Sequence, residues 1–260
     1  MTDRVTINVA DGVADVRLNR PDKMNALDPA MFDGIVDAID RLAAMREVRA
    51  VVLSGAGRAF CTGLDMASMA SGGSGLDVAE RAWGPANKVQ QVSWGWRMLP
   101  MPVIAAVHGV AFGGGFQVMS GADIRIARPD ARFAIRESHW GLVPDMGGVA
   151  LWRTLARDDV LRELTYTGRE FGGEEALRHG FVTRLADDPV AEAHALAREI
   201  AGRNPHAVRG IKRLFNHAAD GDPRSILELE TVEQLKVIRT PNQVEQVRAN
   251  VEKRAAAFED

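Results

Sequence analysis

In "VIAAVHGVAFGGGFQVMSGADIRIA", residues 103–127, an apolar run enters three consecutive glycines and a helix-like segment follows. Glycine loses more chain entropy on folding than any other residue. Gly113, Gly114 and Gly115 are therefore costly unless the backbone does something there that a side chain would prevent. A strand that ends on glycines and turns into a helix presents amides with no intrahelical acceptor. The helix dipole adds positive potential at the same point, and no Cβ holds a ligand away. Such a place suits an anion, or a carbonyl oxygen on its way to becoming one. A tight turn packing strand against helix accounts for the same glycines, and this segment alone leaves both readings open.

The remainder of the 260 residues reads as one large α/β body with a helical C-terminal part. Alternation around Asp11-Gly12 in "RVTINVADGVADVRL" predicts a β-hairpin over residues 4–18. Asp28 as N-cap and Pro29 at the first helical position open a helix to Arg46. Buried strands are predicted at 48–57 and 101–110, with a helix at 87–99 between them. The Gly-, Ser- and Ala-rich stretch 67–86 reads as a loop that becomes helical near Val78. Beyond the glycines come a short helix from Phe116 to Ala122, a strand–turn–strand over 123–135 and a helix from Pro144 to Arg157. Further helices are expected near 159–166, 173–179, 189–202, 205–219, 223–236 and 240–258. The division this suggests is a core over residues 1–200 and a helical region over 201–260, whose amphipathic last helix needs a partner surface.

Several chemistries are disfavoured by composition. A net charge of −3 offers no basic field for nucleic acid or an anionic membrane. The single cysteine, Cys61, rules out an intrachain disulfide and fits a reducing compartment. "MTDRVTINVADG" lacks the order of a signal peptide, and no run of 18 apolar residues occurs, so the reading is a soluble cytoplasmic protein. In "SGAGRAF" Phe60 stands where a dinucleotide fingerprint needs its third glycine, and Val118 stands where a nucleophile elbow needs one. The six histidines show no ligand spacing, so no metal is expected.

Six segments in order carry a resemblance: "LNRPDKMNALD", "VVLSGAGRAFCTGLDM", "PVIAAVHGVAFGGGFQ", "GADIRIARPDARFAIRES", "GLVPDMGG" and "LTYTGREFGGEEALRHGFVTRL". Together they resemble the crotonase family, the enoyl-CoA hydratases and isomerases, from about Arg4 to Arg184 and more weakly at "NVEKRAAAF". The resemblance implies a crotonase-like spiral of ββα units with a C-terminal helical region for trimer formation, as a trimer or a dimer of trimers. It implies an acyl-CoA substrate, with coenzyme A entering as part of that substrate and no separate cofactor. Two amides that hold the thioester oxygen and stabilise an enolate map onto Leu64 and Gly114.

Family hydratases carry two glutamates, and the corresponding positions here are Gln117 and Glu137. An amide neither gives nor takes a proton at ordinary pH, so two-carboxylate activation of water is not matched. Asp145 is a third candidate, and with Glu137 it resembles the pair that moves a proton along the acyl chain in the family's dienoyl-CoA isomerases. Those enzymes also usually place an Asp where Gln117 stands. The first reading is therefore a double-bond isomerase. The alternatives are an enoyl-CoA hydratase relying on Glu137 and a non-catalytic acyl-CoA binder; a dehalogenase-like role for Asp145 ranks lower. An acid at Asp145 is also favoured simply by the first turn of the expected helix. For CoA the resemblance points to Lys23, Ala26, Thr62, Asp65 and Lys253, with a helix cap as the other reading of Asp65. His139 and Trp140 are expected to form a packed pair, with lining of the pocket as the other reading.

Overall fold

The computed structural model describes residues 3–70 and 78–260. In chain order the first half runs β1 (Val5–Ala10), β2 (Val13–Leu18), α1 (Pro29–Ala44), β3 (Ala50–Gly55), α2 (Met66–Ala70), α3 (Lys88–Met98), β4 (Val103–Val107), β5 (Val110–Phe112), α4 (Gly114–Ser120), β6 (Ile124–Ala127) and β7 (Arg132–Ala134). The second half runs α5 (Gly148–Trp152), α6 (Asp158–Thr167), β8 (Phe171–Gly172), α7 (Gly173–His179), β9 (Arg184–Leu185), α8 (Pro189–Ala201), α9 (Pro205–Ala218), α10 (Pro223–Val237) and α11 (Pro241–Glu252).

The strands form a six-stranded sheet, β1-β2-β3-β4-β6-β9, and a three-stranded one, β5-β7-β8. The hairpin β1–β2 turns on Asp11 and Gly12, both at positive φ, and is antiparallel; every later pair of the large sheet is parallel. Parallel strands are covered on both faces, and β3 shows how. Val51 and Leu53 enter the main core with Phe32, Ile35 and Phe116, while Ala50 and Val52 point to the opposite core. There Ala193, Ala197 and Ala201, spaced one turn apart on α8, let that helix lie close to the sheet.

Local signals explain the helix starts. The Asp28 carboxylate accepts from the Met31 amide at 2.8 Å, with Pro29 following, as the sequence predicts. α9 is tied to the body by Lys212, whose buried ammonium donates to the Trp96 and Met101 carbonyls and to Asp123 Oδ2 at 2.8 Å. No described helix is long and apolar enough to cross a membrane.

Three expectations are corrected. The helix expected from Pro144 to Arg157 is confined to Gly148–Trp152, because Gly147 at φ 84° breaks it, and Asp145 therefore lies in the loop before the helix rather than in a first turn. No helix forms at Val78, while a short one at Met66–Ala70 was not foreseen; residues 71–77 of that predicted loop lie outside the described residues. The last helix stops at Glu252, not near 258, because Lys253 turns left-handed at φ 54°. The tail then folds back, with Glu245 capturing Arg254 and the Ala257 amide, and Arg49 taking Asp260 and the face of Phe258.

Candidate active site

The site is built where two loops meet the end of β5. The first is the "RPDKMNAL" loop. Asn25 is fully buried at φ 54°, and its amide reaches the carbonyls of Ala56 and Ala59 at 2.9 Å and Phe60 at 3.1 Å while its oxygen accepts from the Arg20 amide. This pins the loop to the turn after β3 and so places the segment Phe60–Leu64. The family resemblance assigns this loop to CoA but does not point to Asn25, whose role here is structural. A buried, unpartnered Asn would be costly, which is the signal available at that position.

The orientation of residue 64 follows from its neighbours. The Leu27 amide donates to the Gly63 carbonyl at 2.8 Å, and the Asp65 amide donates to the Leu27 carbonyl at 3.0 Å. In an extended chain successive peptides point to opposite sides, so the Leu64 N–H is directed away from Leu27. On that other side the Phe112 amide donates to the Cys61 carbonyl at 3.1 Å. The ladder would continue there to Gly63, but Gly63 at φ 92° breaks it.

The three glycines of the opening motif serve three ends. Gly113 adopts φ 49°, ψ −118°, a backbone that other residues avoid, and its amide donates to the Ala134 carbonyl. A Cβ on Gly115 would lie 2.3 Å from the Cys61 carbonyl oxygen. A Cβ on Gly114 would press on Met146 and Leu27 at 2.8 and 2.9 Å. Gly114 is the first residue of α4, so its amide has no intrahelical acceptor. Neither the Leu64 nor the Gly114 amide finds an acceptor among the described residues. Both residues line one cavity of about 240 Å³, together with Thr62, Phe112, Glu137 and Trp140.

Glu137 opens a 3-10 turn directly after β7 and is 7% exposed. Its Oε1 accepts from Gln117 Nε2 at 2.6 Å, and its Oε2 is buried without a hydrogen-bond partner. Burial pushes the Glu137 carboxyl above the ordinary carboxylate range, nearby amides and Gln117 oppose the rise, and the charge of Asp145 adds to it. Gln117 is itself locked, because its Oε1 accepts from the Met146 and Gly148 amides, each at 3.0 Å.

Asp145 lies beside this group, close enough for its charge to act on Glu137, but it is solvent-exposed and absent from the cavity wall. The atoms crowded around its carboxyl still push it up from the usual range. His139 and Trp140 form the expected pair, rings edge-on with centroids 5.5 Å apart, and both also line the cavity, Trp140 being 54% exposed.

Of the residues expected to hold CoA, Thr62 lines the cavity and Lys23, Ala26, Asp65 and Lys253 do not. Lys23 and Lys253 are exposed; the Ala26 carbonyl accepts from Arg20. Asp65 is occupied as a helix cap for Ala67 and Ser68 and as the partner of Arg20 at 2.7 Å, its other reading. Arg20 and the lining residues Phe112, Arg136 and Leu142 were not foreseen.

Comparison with known proteins agrees with this layout. Residues 8–260 match the family model described as enoyl-CoA hydratase/isomerase. The mitochondrial Delta(3,5)-Delta(2,4)-dienoyl-CoA isomerase of Mus musculus is 35% identical over 252 residues, covering 93% of this chain and 77% of that protein. An enoyl-CoA hydratase of Mycobacterium tuberculosis is 33% identical over 250 residues, covering 94% of this chain and 92% of the relative. The crystal structure of an enoyl-CoA hydratase from Bacillus anthracis superposes with a TM-score of 0.87 at 28% identity, covering 98% of both chains. With a family model spanning nearly the whole chain and the same α/β fold in a solved relative, the protein belongs to the enoyl-CoA hydratase/isomerase, or crotonase, family.

Proposed function

We propose that the protein is an acyl-CoA double-bond isomerase of the dienoyl-CoA type, working through an enolate. The observation that carries this is one buried carboxyl in the cavity wall with an unpartnered oxygen, Glu137 Oε2. A second carboxyl, Asp145, lies outside the wall but near enough for its charge to act on Glu137, and the side chain bonded to Glu137 is a non-ionisable amide, Gln117. In this reading the Leu64 and Gly114 amides receive the thioester oxygen. A carboxylate takes a proton from a carbon next to the unsaturation. The C–H electron pair moves into the conjugated chain, and charge gathers on the oxygen held by the two amides. A carboxylic acid then returns a proton to a different carbon, and the two acids exchange with solvent to restore the starting state. No atom is added or lost. Such a cycle requires one acid and one base together, which suits a pair of carboxyls both pushed up from their usual range. Each oxyanion donor is worth about 3–4 kcal/mol of transition-state stabilisation.

Thr62 would flank the pantetheine end, with Lys23, Ala26 and Lys253 as the CoA contacts outside the cavity and Asp65 holding the loop between them. The helices of residues 201–260 would form the contact in a homotrimer or dimer of trimers, which is supported by the exposure of Phe215, Leu235 and Val251 on α9, α10 and α11. A second reading, enoyl-CoA hydratase with Glu137 as its main acid/base, is favoured by the Mycobacterium tuberculosis relative. Absorbance assays with a 3,5-dienoyl-CoA and with crotonyl-CoA separate the two. The isomerase reading requires conversion of the dienoyl substrate that falls in Asp145→Asn. Loss of the crotonyl band with no dependence on Asp145 would establish the hydratase. Binding of every acyl-CoA without turnover, unchanged in Glu137→Gln, would leave only a binder.

A further inference from the structure

Both ends of the Gln117 amide are hydrogen-bonded. It is 1% exposed and sits on α4 directly behind the Glu137 carboxyl. Oxygen and nitrogen of a side-chain amide are told apart by their partners, and here the partners leave no ambiguity. Two backbone donors, Met146 N and Gly148 N, point at one end of the amide from 3.0 Å, so that end is the oxygen. The other end is then the NH2 group, and it faces Glu137 Oε1 at 2.6 Å. Rotating the Glu137 carboxyl would break that bond and leave the buried Gln117 NH2 group without an acceptor.

We infer that Gln117 is a positioning residue that assigns the two oxygens of Glu137: Oε1 is the permanent acceptor, and Oε2 is the single oxygen that exchanges protons with the substrate. The same amide staples the loop carrying Asp145 to α4, because Met146 is the next residue after Asp145. One side chain therefore sets both the orientation of the first carboxyl and the position of the second. This rests on the reading of Glu137 as a proton carrier and adds what holds it.

The other charged neighbours do not supply this function. The Arg136 guanidinium is turned to Glu170 and the face of Phe112. His139 stands edge-on against Trp140. Asp145 acts on Glu137 through its charge, while Gln117 is the side chain hydrogen-bonded to it.

The test is the pH profile of kcat/KM with a 3,5-dienoyl-CoA for wild type, Gln117→Leu and Gln117→Glu. Gln117→Leu removes a donor that favours ionised Glu137. The acid limb should move to higher pH and the rate should fall on the order of 10–100-fold through lost alignment. Gln117→Glu keeps acceptors for the Met146 and Gly148 amides, so it remains informative if Gln117→Leu does not fold. A carboxyl put where the Gln117 amide stands, 2.6 Å from Glu137 Oε1, shares one proton with Glu137 until well above the ordinary carboxylate range. While they share a proton the introduced carboxyl can donate to Glu137 Oε1, so activity should recover at low pH and be lost again as the shared proton leaves. The inference is overturned if Gln117→Leu lowers the rate uniformly with an unmoved profile, or if Gln117→Glu reproduces the wild-type profile. Glu137→Gln is measured alongside. If it keeps full activity, the functional reading itself fails; if it is inactive while the Gln117 variants leave the profile unmoved, only the inference fails.

Discussion

Gly63→Ala tests the geometry that brings residues 64 and 114 to one cavity. Gly63 holds φ 92°, and a Cβ built there lies 2.7 Å from the Phe112 carbonyl oxygen and 3.5 Å from the Gly114 nitrogen. A relaxed carbon–oxygen contact is about 3.3 Å or longer, so the Phe112 carbonyl must retreat by roughly half an ångström. The Gly114 amide, two residues on, moves with it. Strain of this kind costs on the order of 1–3 kcal/mol, or about 3–10 °C in Tm for a chain of this size. Displacing one of two oxyanion donors should lower kcat on the order of 10²–10³-fold. Gly180→Ala is the control. Gly180 has φ 86° and a Cβ position 2.4 Å from the Leu155 carbonyl, comparable strain placed away from the cavity wall. Thermal melts and dienoyl-CoA turnover below both transitions should show two destabilised proteins, of which only Gly63→Ala is slow. Equal kcat in both variants would refute the argument that Gly63 spaces the two amides.

Glu137→Gln should lower kcat by about 10²–10⁴-fold, the usual contribution of a general acid or base, with acyl-CoA binding retained by calorimetry. The same variant should be more stable than wild type at pH 7. The folded carboxyl holds its proton to higher pH than the unfolded one, so wild type loses stability as pH rises through that window; the difference in Tm should vanish below about pH 4, where both states are protonated. Asn25→Ala should cost on the order of 3 kcal/mol by urea denaturation, because three carbonyls and the Arg20 amide lose a buried partner. Lys212→Met should strip the ammonium from two carbonyls and from Asp123, whose Oδ2 keeps the Val103 amide, and speed amide exchange in α9 relative to α1.

Much of the scaffold was readable because its signals are local. Asp28 with Pro29, the Asp11-Gly12 turn and the two-sided apolar runs of β3 and β4 each specify their element without help from distant residues. The family motifs led to Leu64, Gly114 and Glu137, and these do line one cavity. What was not readable depends on contacts between distant segments. Asp145 looked like a helix start because Pro144 precedes it, whereas Gln117, 28 positions earlier, ties the backbone at Met146 and Gly148 into a loop. In sequence Gln117 looked like a lost acid; in space its amide orientation is fixed by those two donors. The role of Asn25 is hidden in the sequence for the same reason, since its partners lie 31 to 35 positions away.

Two main-chain amides sharing one oxygen are the centre of the proposed chemistry, and a crystal structure with a non-reacting acyl-CoA measures that directly. The thioester oxygen should lie about 2.7–3.1 Å from both the Leu64 and the Gly114 nitrogens, with Glu137 Oε2 facing the acyl carbons. An oxygen bound to one amide alone, or an acyl group lodged outside the cavity between residues 64 and 114, would contradict it.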